Sequence, residues 1–481
     1  MLLSTPRLVI AGLAGGSGKT LLSVGLARAL TQKGMAVAPF KKGPDYIDAG
    51  WLGAAAGRPG RNLDSFLMSP EALEEALLRG GAGELLLVEG NRGLFDGLDA
   101  RGTHSTAELA KRLRAPVVLV VDVTKSTRTV AALVLGCQAL DGALDLAGVV
   151  LNRVSTSRQE RVIREAIAGS GGPPVLGALP RLDSDPFPGR HLGLLTAIEH
   201  PEGEVAMALA AEAVTRHLDL PALLRIAASA PPIEVGARSR PAAGPPVRIA
   251  VFRDQAVSFY YPDNLEALEE GGAELSLVSP LAGDSLPEVD ALYIGGGFPE
   301  AYADRLAQNH GLRRSLRSAA AAGLPIYAEC GGLMYLARSL TVGGATYPMA
   351  GLLDLRVEQT PRPVGHGYVT ARVEVANPFF ERGATLCGHE FHYSRVIGAV
   401  APPAVLRLER GVGLGEGRDG LVSGRVWASY LHLHALGTPS WAPGLLALAR
   451  LYQQERRART EASNGWRAQA AQRERANAHG C

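Results

Sequence analysis

A glycine-rich loop near the start of the chain carries the residue types that bind the phosphates of a nucleotide. The segment Gly12-Leu-Ala-Gly-Gly-Ser-Gly-Lys-Thr20 follows an apolar run and precedes a helical pattern. In that setting backbone N–H groups point at phosphate oxygens, a lysine reaches the outer phosphates, and a threonine hydroxyl can ligate Mg²⁺. A glycine turn without a ligand is the alternative, which the Gly-Lys-Thr ending disfavours. The residues expected to bind the nucleotide are Gly15, Gly16, Ser17, Gly18, Lys19 and Thr20.

The spacing of this loop departs from the usual G-x-x-x-x-G-K-[ST] pattern. Leu13 stands where the first glycine is expected, and Gly12 lies one residue earlier. The longer loop resembles that of the dethiobiotin synthetase group. Partition and septum-site ATPases are also similar, but they carry a signature lysine at the position that Ala14 occupies here. A partner-driven switch ATPase is therefore disfavoured.

Charged residues follow two further apolar runs in the same half of the chain, within residues 40–48 and 87–96. Because the carboxyl ends of parallel strands meet at one edge of a sheet, we expect these residues to lie beside the glycine-rich loop. Phosphoryl transfer needs carboxylates to hold metal and cations to neutralise charge. Solvated loop charges are the alternative for any one of them. The expected roles are nucleotide binding for Lys41, substrate and phosphoryl contacts for Asp45, Tyr46, Asp48 and Asp96, and Mg²⁺ binding for Thr20, Asp48 and Glu89.

Asn152 closes a later apolar run, in the sequence Val-Val-Leu-Asn-Arg-Val. At the end of a strand, its side-chain amide could bind an adenine edge of the nucleotide. Asparagine also caps loops by bonding to the backbone, so both interpretations stay open.

Cys330 is the candidate nucleophile of a second site. The segment Leu324-Pro-Ile-Tyr-Ala-Glu-Cys330-Gly-Gly predicts a strand, a sharp turn and a helix, with the thiol at the apex. A helix N-terminus at that position favours the thiolate, and neighbouring N–H groups, including that of Gly331, can stabilise an oxyanion. Gly296 and Gly297, after another apolar run, are the second oxyanion candidates. A buried inert cysteine and a plain tight turn are the alternatives.

A thiol nucleophile also needs a base, and His432 is the candidate. His432 and His434 are two residues apart in a β-type run, which puts both on one face of a strand. A metal pair or solvent-facing histidines are the alternatives, and the absence of an obvious third ligand disfavours the metal. His389 and His392 could form another metal pair, but we interpret Gly388–Ser394 as a loop bordering the site.

The elements that position these residues form two tandem units. A chain of 481 residues with 47% hydrophobic and 20% charged residues predicts more than one globular domain. Apolar runs alternate with helical patterns on both sides of a Pro-, Ala- and Gly-rich stretch, which predicts an α/β class with two tandem three-layer domains. The expected boundaries are a first domain with the P-loop at 1–226, a linker at 227–246, a second domain with the cysteine elbow at 247–455 and a polar tail at 456–481.

Composition excludes several classes of protein and of site. A net charge of +2 is too small to attract a nucleic-acid backbone. We also find no apolar run long enough to span a bilayer. Four irregularly spaced cysteines without a CxxC pair indicate neither a disulfide framework nor structural zinc. We therefore expect a cytoplasmic protein that binds neither nucleic acid nor membrane. The sequence does not fix the oligomeric state, for which a homodimer is our expectation.

With these motifs in this order, the chain to about residue 455 resembles the cobyrinic acid a,c-diamide synthase family. The resemblance rests on GGSGKT, FKKGPDYID, VEGNRGLFDG, RHLGL, SFYYPDNL, GGGFPE, AECGGLMYL, GHEFHYS and SYLHLH. It implies a dethiobiotin synthetase-like domain followed by a class I glutamine amidotransferase domain. It further implies that Cys330 attacks glutamine, that His432 raises its nucleophilicity, and that ammonia passes internally to a substrate carboxyl that ATP has phosphorylated. Two departures are Ala328 at the start of the elbow and His434 where many amidotransferases have glutamate.

The resemblance implies a tetrapyrrole acid as substrate, with ATP and glutamine as co-substrates and Mg²⁺ as cofactor. Cobyrinic acid is the default, amidated on its a and c acetate groups. Sirohaem and nickel sirohydrochlorin are the alternatives, and the doubled Lys41-Lys42, with the motifs GGSGKT and VEGNRG, looks closer to the sirohaem branch than to the cobyrinate branch. Lys42, Arg92 and Arg190 are candidates for contacts with substrate carboxylates, or else ordinary exposed cations. A nucleotide-dependent switch with a non-catalytic amidotransferase-like half is the alternative of another class.

Overall fold

The chain forms two compact units in a computed structural model. The first comprises Met1–Ser239 with Tyr261–Asp263, and the second comprises Arg240–Tyr260 with Asn264–Cys481. The structure describes residues 2–81, 83–182, 186–190, 193–236, 243–401 and 403–478. Among the helices in these ranges, none is long and apolar enough to cross a membrane.

The first half of the chain alternates strands and helices. In chain order these are β1 (Leu2–Leu3), β2 (Arg7–Gly12), α1 (Lys19–Gln32), β3 (Val37–Lys42), α2 (Tyr46–Ala56), β4 (Arg61–Leu63), α3 (Pro70–Gly80), β5 (Leu85–Glu89), α4 (Thr106–Arg112), β6 (Val117–Asp122), α5 (Thr129–Leu140), β7 (Leu146–Val154), α6 (Ser157–Gly169), β8 (Val175–Pro180), β9 (Gly189–Arg190), β10 (Gly193–Leu194), α7 (Gly203–His217), α8 (Leu220–Ala228) and β11 (Ile233–Glu234).

Seven of these strands form one parallel sheet in the order β4-β3-β5-β2-β6-β7-β8. Successive side chains of β2 point to opposite faces, yet Leu8, Val9, Ile10 and Ala11 are all buried. Helices therefore cover both faces of the sheet, which explains why its strands are continuous apolar runs. The ends of β2, β3 and β5 carry Gly12, Lys42 and Glu89 to one edge, as the sequence predicts.

The second half of the chain also begins with alternating strands and helices. They are β12 (Val247–Phe252), α9 (Pro262–Glu270), β13 (Ala273–Val278), β14 (Ala291–Ile294), a 3₁₀ turn (Pro299–Tyr302), α10 (Ala303–Gln308), α11 (His310–Ala321), β15 (Ile326–Glu329), α12 (Gly331–Leu336), β16 (Ser339–Val342), β17 (Ala345–Pro348), β18 (Asp354–Gln359), β19 (Gly365–Val373), β20 (Thr385–His392), β21 (Ser394–Ala401), β22 (Leu406–Arg410), β23 (Arg418–Asp419), β24 (Leu421–Ser423), β25 (Val426–Ser429), β26 (His432–Leu433) and α13 (Trp441–Ala478).

A six-stranded sheet, ordered β13-β12-β14-β15-β25-β24, forms the centre of the second unit. Its strands run parallel except β24, which pairs antiparallel with β25. Beside it lie a four-stranded sheet, β17-β16-β18-β21, and a five-stranded sheet, β23-β22-β19-β20-β26. The two α/β cores confirm the predicted fold class, whereas the two additional sheets are not evident from the sequence.

The interpretation of Gly388–Ser394 as a loop is wrong. Residues 385–392 form β20, which pairs antiparallel with β19 and with β26. The polar composition of this segment suggests a loop, but His389, Glu390 and His392 are buried. His392 Nδ1 contacts the Ser394 carbonyl oxygen at 2.9 Å, and Glu390 Oε1 accepts from the Val412 N–H at 2.7 Å. Burial with partners allows polar residues to occupy a core strand.

The segment expected to be a linker is partly regular. Helix α8 ends at Ala228, and β11 pairs with β1 so that Leu3 lies opposite Ile233. Residues 237–242 lie outside the described residues. The polar tail, as far as residue 478, continues helix α13. The domain boundaries themselves stay a prediction.

Close packing of α1 against α7 generates a stability test at Gly25. A Cβ atom at Gly25 would lie 2.5 Å from the carbonyl oxygen of Ala210. We expect Gly25→Ala to destabilise the protein by roughly 1–3 kcal/mol, because the backbones must separate. Calorimetric unfolding of the full chain measures the change.

Gly136 is the matched control, because it lies within helix α5 and a Cβ there meets nothing within 4 Å. Gly136→Ala should instead stabilise by about 0.5–1 kcal/mol through helix propensity. Equal effects of the two substitutions would show that the approach of α1 to α7 does not limit stability.

Candidate active site

The glycine-rich loop connects the end of β2 to the start of α1. Gly16 and Gly18 adopt φ values of 72° and 99°, a left-handed conformation that favours glycine. A Cβ at Gly18 would also lie 2.1 Å from the side-chain nitrogen of Asn152. The loop therefore needs glycine at this position for both conformation and space, in agreement with the predicted phosphate cradle.

Lys19 curls back over the loop. Its Nζ donates to the carbonyl oxygen of Ala14 at 2.9 Å and to that of Arg92 at 2.8 Å. Ser17 Oγ also donates to the Ala14 carbonyl, at 2.8 Å. Burial and then the neighbouring Lys41 charge lower the pKa of Lys19. These contacts hold the Lys19 ammonium beside the loop, where it could neutralise the charge of a bound phosphate.

Asn152 is buried and binds the loop directly. Its Nδ2 donates to the Ser17 carbonyl at 2.9 Å. The contact favours the alternative in which this residue holds a loop in place. Adenine binding by Asn152 stays a prediction.

A buried lysine organises the carboxylates beside the loop. Lys41 Nζ lies 2.6 Å from Asp48 Oδ2, 2.9 Å from Glu89 Oε1 and 3.1 Å from the Gly90 carbonyl oxygen. Burial alone would lower the pKa of Lys41, but Asp48, Glu89 and Asp45 outweigh it and raise that pKa. Likewise burial would raise the pKa of Asp48, but Lys41 lowers it. Lys41 and Asp48 thus stabilise each other's charged forms.

Asp45 and Asp96 each accept hydrogen bonds from nearby backbone N–H groups. Asp45 is the N-cap of α2, which begins at Tyr46, and its Oδ1 accepts from the N–H groups of Ile47 and Asp48 at 2.9 and 3.0 Å. Asp96 Oδ2 accepts from the Gly93 N–H at 2.8 Å. Burial, followed by repulsion from Asp48, raises the pKa of Asp45 to about 7.

Thr20 and Glu89 provide oxygen atoms suited to a divalent cation. Thr20 Oγ1 donates to Glu89 Oε1 at 2.8 Å. The second carboxylate oxygen, Glu89 Oε2, is buried and has no hydrogen-bond partner among the described residues. Burial raises the pKa of Glu89. An unsatisfied carboxylate oxygen beside a hydroxyl fits Mg²⁺, which prefers such hard ligands.

The cations considered for the substrate differ in their surroundings. Lys42 is buried, lies 3.9 Å from Asp64, and has its pKa lowered, chiefly by burial. Arg92 is exposed in the loop after β5 and has a φ of 50°. The side chain of Arg190 lies outside the described residues.

Cys330 sits at a strained turn between β15 and α12. Its φ of 46° and ψ of −98° are unusual for a residue with a side chain, as expected for a nucleophile elbow. Its N–H donates to the Ser429 carbonyl at 2.7 Å, and its Sγ lies 3.8 Å from the Phe391 carbonyl oxygen.

The expectation that the turn itself favours the thiolate is wrong. Burial, and then the Glu300 carboxylate, raise the pKa of the Cys330 thiol well above its usual range, and the Gly331 N–H only partly offsets them. Helix α12 has only six residues, so its dipole is weak. The thiol therefore depends on a base to ionise it.

Glycine residues connect this elbow to His432. A Cβ at Gly296 would lie 2.5 Å from Cε1 of His432 and 3.3 Å from its Nε2. A Cβ at Gly331 would lie 2.9 Å from the backbone nitrogen of Gly297. The predicted oxyanion glycines thus contact both the elbow and the Nε2 edge of the histidine.

His432 and His434, in and just after β26, have different contacts. His432 Nδ1 faces Glu329 Oε2 at 3.6 Å, and its ring stacks on His389 at 4.8 Å between centroids. His434 Nδ1 instead accepts from the Leu436 N–H at 3.2 Å, within its own turn. Within the described ranges, no group of three or more His, Cys, Asp and Glu side chains is arranged to hold a metal ion.

Glu329 is the residue of this site that the sequence analysis missed. We treated it only as part of the elbow motif, since it directly precedes Cys330. One signal was available, because a carboxylate at the end of the apolar strand 324–328 must have a partner when it is buried. That partner is distant in sequence and cannot be named without the fold.

The high pKa of Asp45 generates a pH test of the first site. The folded protein retains a proton on Asp45 up to about pH 7, whereas an unfolded aspartate loses it near pH 3.9. The contribution of Asp45 to the free energy of unfolding therefore falls as the pH rises between those values. Asparagine is an equally good N-cap. We expect Asp45→Asn to stabilise the protein by an amount that grows from about pH 4 to about pH 7 and then levels off.

Thermal unfolding measured across that range tests the expectation. Asp219→Asn is the control, because Asp219 is an exposed N-cap whose Oδ1 accepts from the Ala222 N–H. A gain of the same size at every pH would contradict the burial of an ionisable Asp45.

Comparison with known proteins identifies the family of the chain. Residues 8–192 match the CobQ/CobB/MinD/ParA nucleotide binding domain, and residues 248–440 match the CobB/CobQ-like glutamine amidotransferase domain. Cobyrinate a,c-diamide synthase of Magnetococcus marinus is 43% identical over 92% of this chain and 96% of that protein. The proteins of that name from Archaeoglobus fulgidus and Syntrophotalea carbinolica are 42% and 41% identical, over 91% and 93% of this chain and 96% and 99% of their own lengths. These matches confirm the resemblance seen in the motifs, and the chain belongs to the cobyrinate a,c-diamide synthase family of glutamine-dependent ligases.

Proposed function

We propose that this protein amidates the a and c acetate carboxylates of cobyrinic acid, using ATP and the amide nitrogen of glutamine. The proposal rests on the presence of two sites in one chain. One is the glycine-rich loop that contains Lys19, and the other is the strand-turn-helix elbow that contains Cys330. Relatives named for that reaction match nine tenths of the chain. A carboxylate is a poor electrophile, so the natural use of the first site is to convert its oxygen into a phosphate leaving group.

In the first unit, the residues around the loop serve phosphoryl transfer. Lys19 and the loop N–H groups bind the phosphates, and Lys41 neutralises charge near the transferred group. Asp45, Tyr46 and Asp96 line the place expected for the substrate carboxyl.

Mg²⁺ fits the same edge of the sheet. Thr20, Glu89 and Asp48 would hold it together with phosphate oxygens of ATP, which accounts for the small number of protein ligands. When bound, the ion neutralises charge that develops on the phosphates. Glu89 Oε2, unsatisfied among the described residues, supports this role.

In the second unit, Cys330 attacks the glutamine amide. The thiol proton passes to His432 as the sulfur–carbon bond forms, and backbone N–H groups at Gly296, Gly297 and Gly331 stabilise the oxyanion. His432 then gives this proton to the amide nitrogen as the carbon–nitrogen bond breaks. Ammonia is released, and water hydrolyses the thioester that remains on Cys330. Passage of ammonia inside the protein avoids its protonation in water.

Cobyrinic acid is favoured over sirohaem by the relatives, and the surroundings of the doubled lysines give no support to sirohaem. Lys41 is held by Asp48 and Glu89, and Lys42 lies near Asp64. Buried lysines with internal partners do not distinguish one tetrapyrrole from another, so the sequence feature that suggested sirohaem loses its weight. A cytoplasmic location and a homodimer stay expectations.

Lys19→Ala tests the phosphate loop. We expect it to reduce amidation at least about 10³-fold with either glutamine or ammonia, because phosphate charge is no longer neutralised. Product formation from cobyrinic acid with each nitrogen source is the measurement. Lys33→Ala, at the exposed C-terminal end of the same helix, should leave turnover unchanged. Undiminished turnover of Lys19→Ala would refute the role.

Cys330→Ala tests the elbow. We expect glutamine-driven amidation to fall at least about 10³-fold, because the variant lacks the thiol that forms the thioester. Amidation with added ammonia should persist. Cys387→Ala is the control, since this half-buried cysteine lies in β20 of the same unit. Full glutamine-driven turnover of Cys330→Ala would favour the non-catalytic alternative.

A further inference from the structure

We propose that Glu329 is the carboxylate that orients His432 as the base for Cys330. The proposal rests on the proposed glutaminase function and deepens it. Its carboxylate comes from the residue that precedes the nucleophile, not from a position two residues after the histidine. Glu329 acts through His432, so it is a positioning residue.

The orientation of the imidazole ring is the first step of the argument. His432 Nδ1 faces Glu329 Oε2 at 3.6 Å, and both side chains are buried. The adjoining edge, from Cε1 to Nε2, faces Gly296. Catalytic hydrogen bonds are commonly this long before substrate binds and tighten in the Michaelis complex. The ring is thus turned with one nitrogen to the carboxylate and the other to the oxyanion glycines.

Glu329 is itself held rigidly. Its Oε1 accepts from the Leu433 N–H at 3.1 Å, and its Oε2 accepts from the Tyr293 hydroxyl at 3.3 Å. Asn264 Nδ2 in turn donates to the Leu433 carbonyl at 2.8 Å. The carboxylate therefore binds both the side chain of His432 and the backbone of the next residue, which fixes their relative positions.

His389 fixes the plane of the ring from the other side. The two imidazoles stack at an interplanar angle of 17° and lie opposite each other in the β20–β26 ladder. Burial, followed by the charge of His432, lowers the pKa of His389 well below its usual value. His389 consequently adds no second positive charge when His432 takes up a proton.

The other buried carboxylates nearby are engaged elsewhere. Asp419 accepts from the N–H groups of Tyr430 and Leu431, at 3.1 and 3.0 Å. Glu390 accepts from those of Val412 and Gly413, at 2.7 and 2.8 Å. Among the described contacts of His432, Glu329 supplies the carboxylate.

This arrangement assigns the proton positions of the reaction. A carboxylate at Nδ1 keeps the proton of the neutral ring on that nitrogen, so Nε2 carries no proton and can accept that of the thiol. It also stabilises the imidazolium that forms. Because burial raises the pKa of Cys330, the thiol needs a base that is already in the correct tautomer.

Glu329→Gln is the decisive variant, because it keeps the shape and the acceptor for Leu433 N–H. Its amide N–H would face Nδ1 and drive the ring proton to Nε2. We expect kcat for glutamine-driven amidation to fall roughly 10²- to 10⁴-fold, by analogy with a serine protease triad, with little change in KM for glutamine. Ammonia-driven amidation should stay at the wild-type rate, which shows that the chain is folded.

A spectroscopic measurement separates positioning from a structural role. In ¹⁵N NMR of histidine-labelled protein, neutral His432 should carry its proton on Nδ1 in the wild type and on Nε2 in Glu329→Gln. Glu390→Gln is the control, because it also removes a buried carboxylate 3.6 Å from a histidine, His392. It should leave the His432 tautomer unchanged.

The proposal is overturned if Glu329→Gln keeps glutamine-driven kcat within about threefold of the wild type, or if the His432 tautomer does not change. Parallel loss of ammonia-driven amidation and of thermal stability would also overturn it, because the residue would then be structural. Cys330→Ala, assayed beside it, distinguishes a failure of the proposed glutaminase. If Cys330→Ala retained glutamine-driven amidation, the proposed glutaminase function itself would be contradicted, and not only the role of Glu329.

Discussion

A charge that is buried must have a partner, and this constraint shapes both sites. Removing an ammonium or carboxylate from water costs several kcal/mol unless opposite charges and hydrogen bonds replace the solvent. Lys41 satisfies the constraint by its contacts with Asp48, Glu89 and the Gly90 carbonyl. Since Lys41 lies in β3 and its partners come from α2 and from the end of β5, the pairing holds these elements together at the edge of the sheet where the glycine-rich loop lies.

The second unit meets the same constraint in a different way. Its nucleophile is kept neutral, because burial and Glu300 oppose the thiolate. In the proposed mechanism, ionisation of Cys330 is therefore coupled to protonation of His432, which lies against Gly296 and faces Glu329. A thiol controlled in this way reacts with an amide bound beside the histidine and resists chance reactions with other electrophiles.

Local signals account for what the sequence predicts well. Continuous apolar runs fix the parallel strands, and Gly18 and Cys330 sit at turns whose glycine patterns are contained within a few residues. The failures are long-range pairings. Asn152 meets Ser17 across 135 residues, and Leu433 meets Glu329 across 104 residues. The strand 385–392 suggests a loop because its polar residues have partners that only the folded sheet supplies.

The charges of the first site also constrain what can enter it. Lys19 and Lys41 provide two cations, whereas Asp45, Asp48, Glu89 and Asp96 provide four carboxyl groups. Burial keeps a proton on Asp45 below about pH 7 and raises the pKa of Glu89, which reduces the excess of negative charge without removing it. A triphosphate and a substrate carboxylate would add to that excess. A divalent cation carried by the nucleotide would offset it, and the proposed binding of that cation would give a partner to Glu89 Oε2, which is unsatisfied among the described residues.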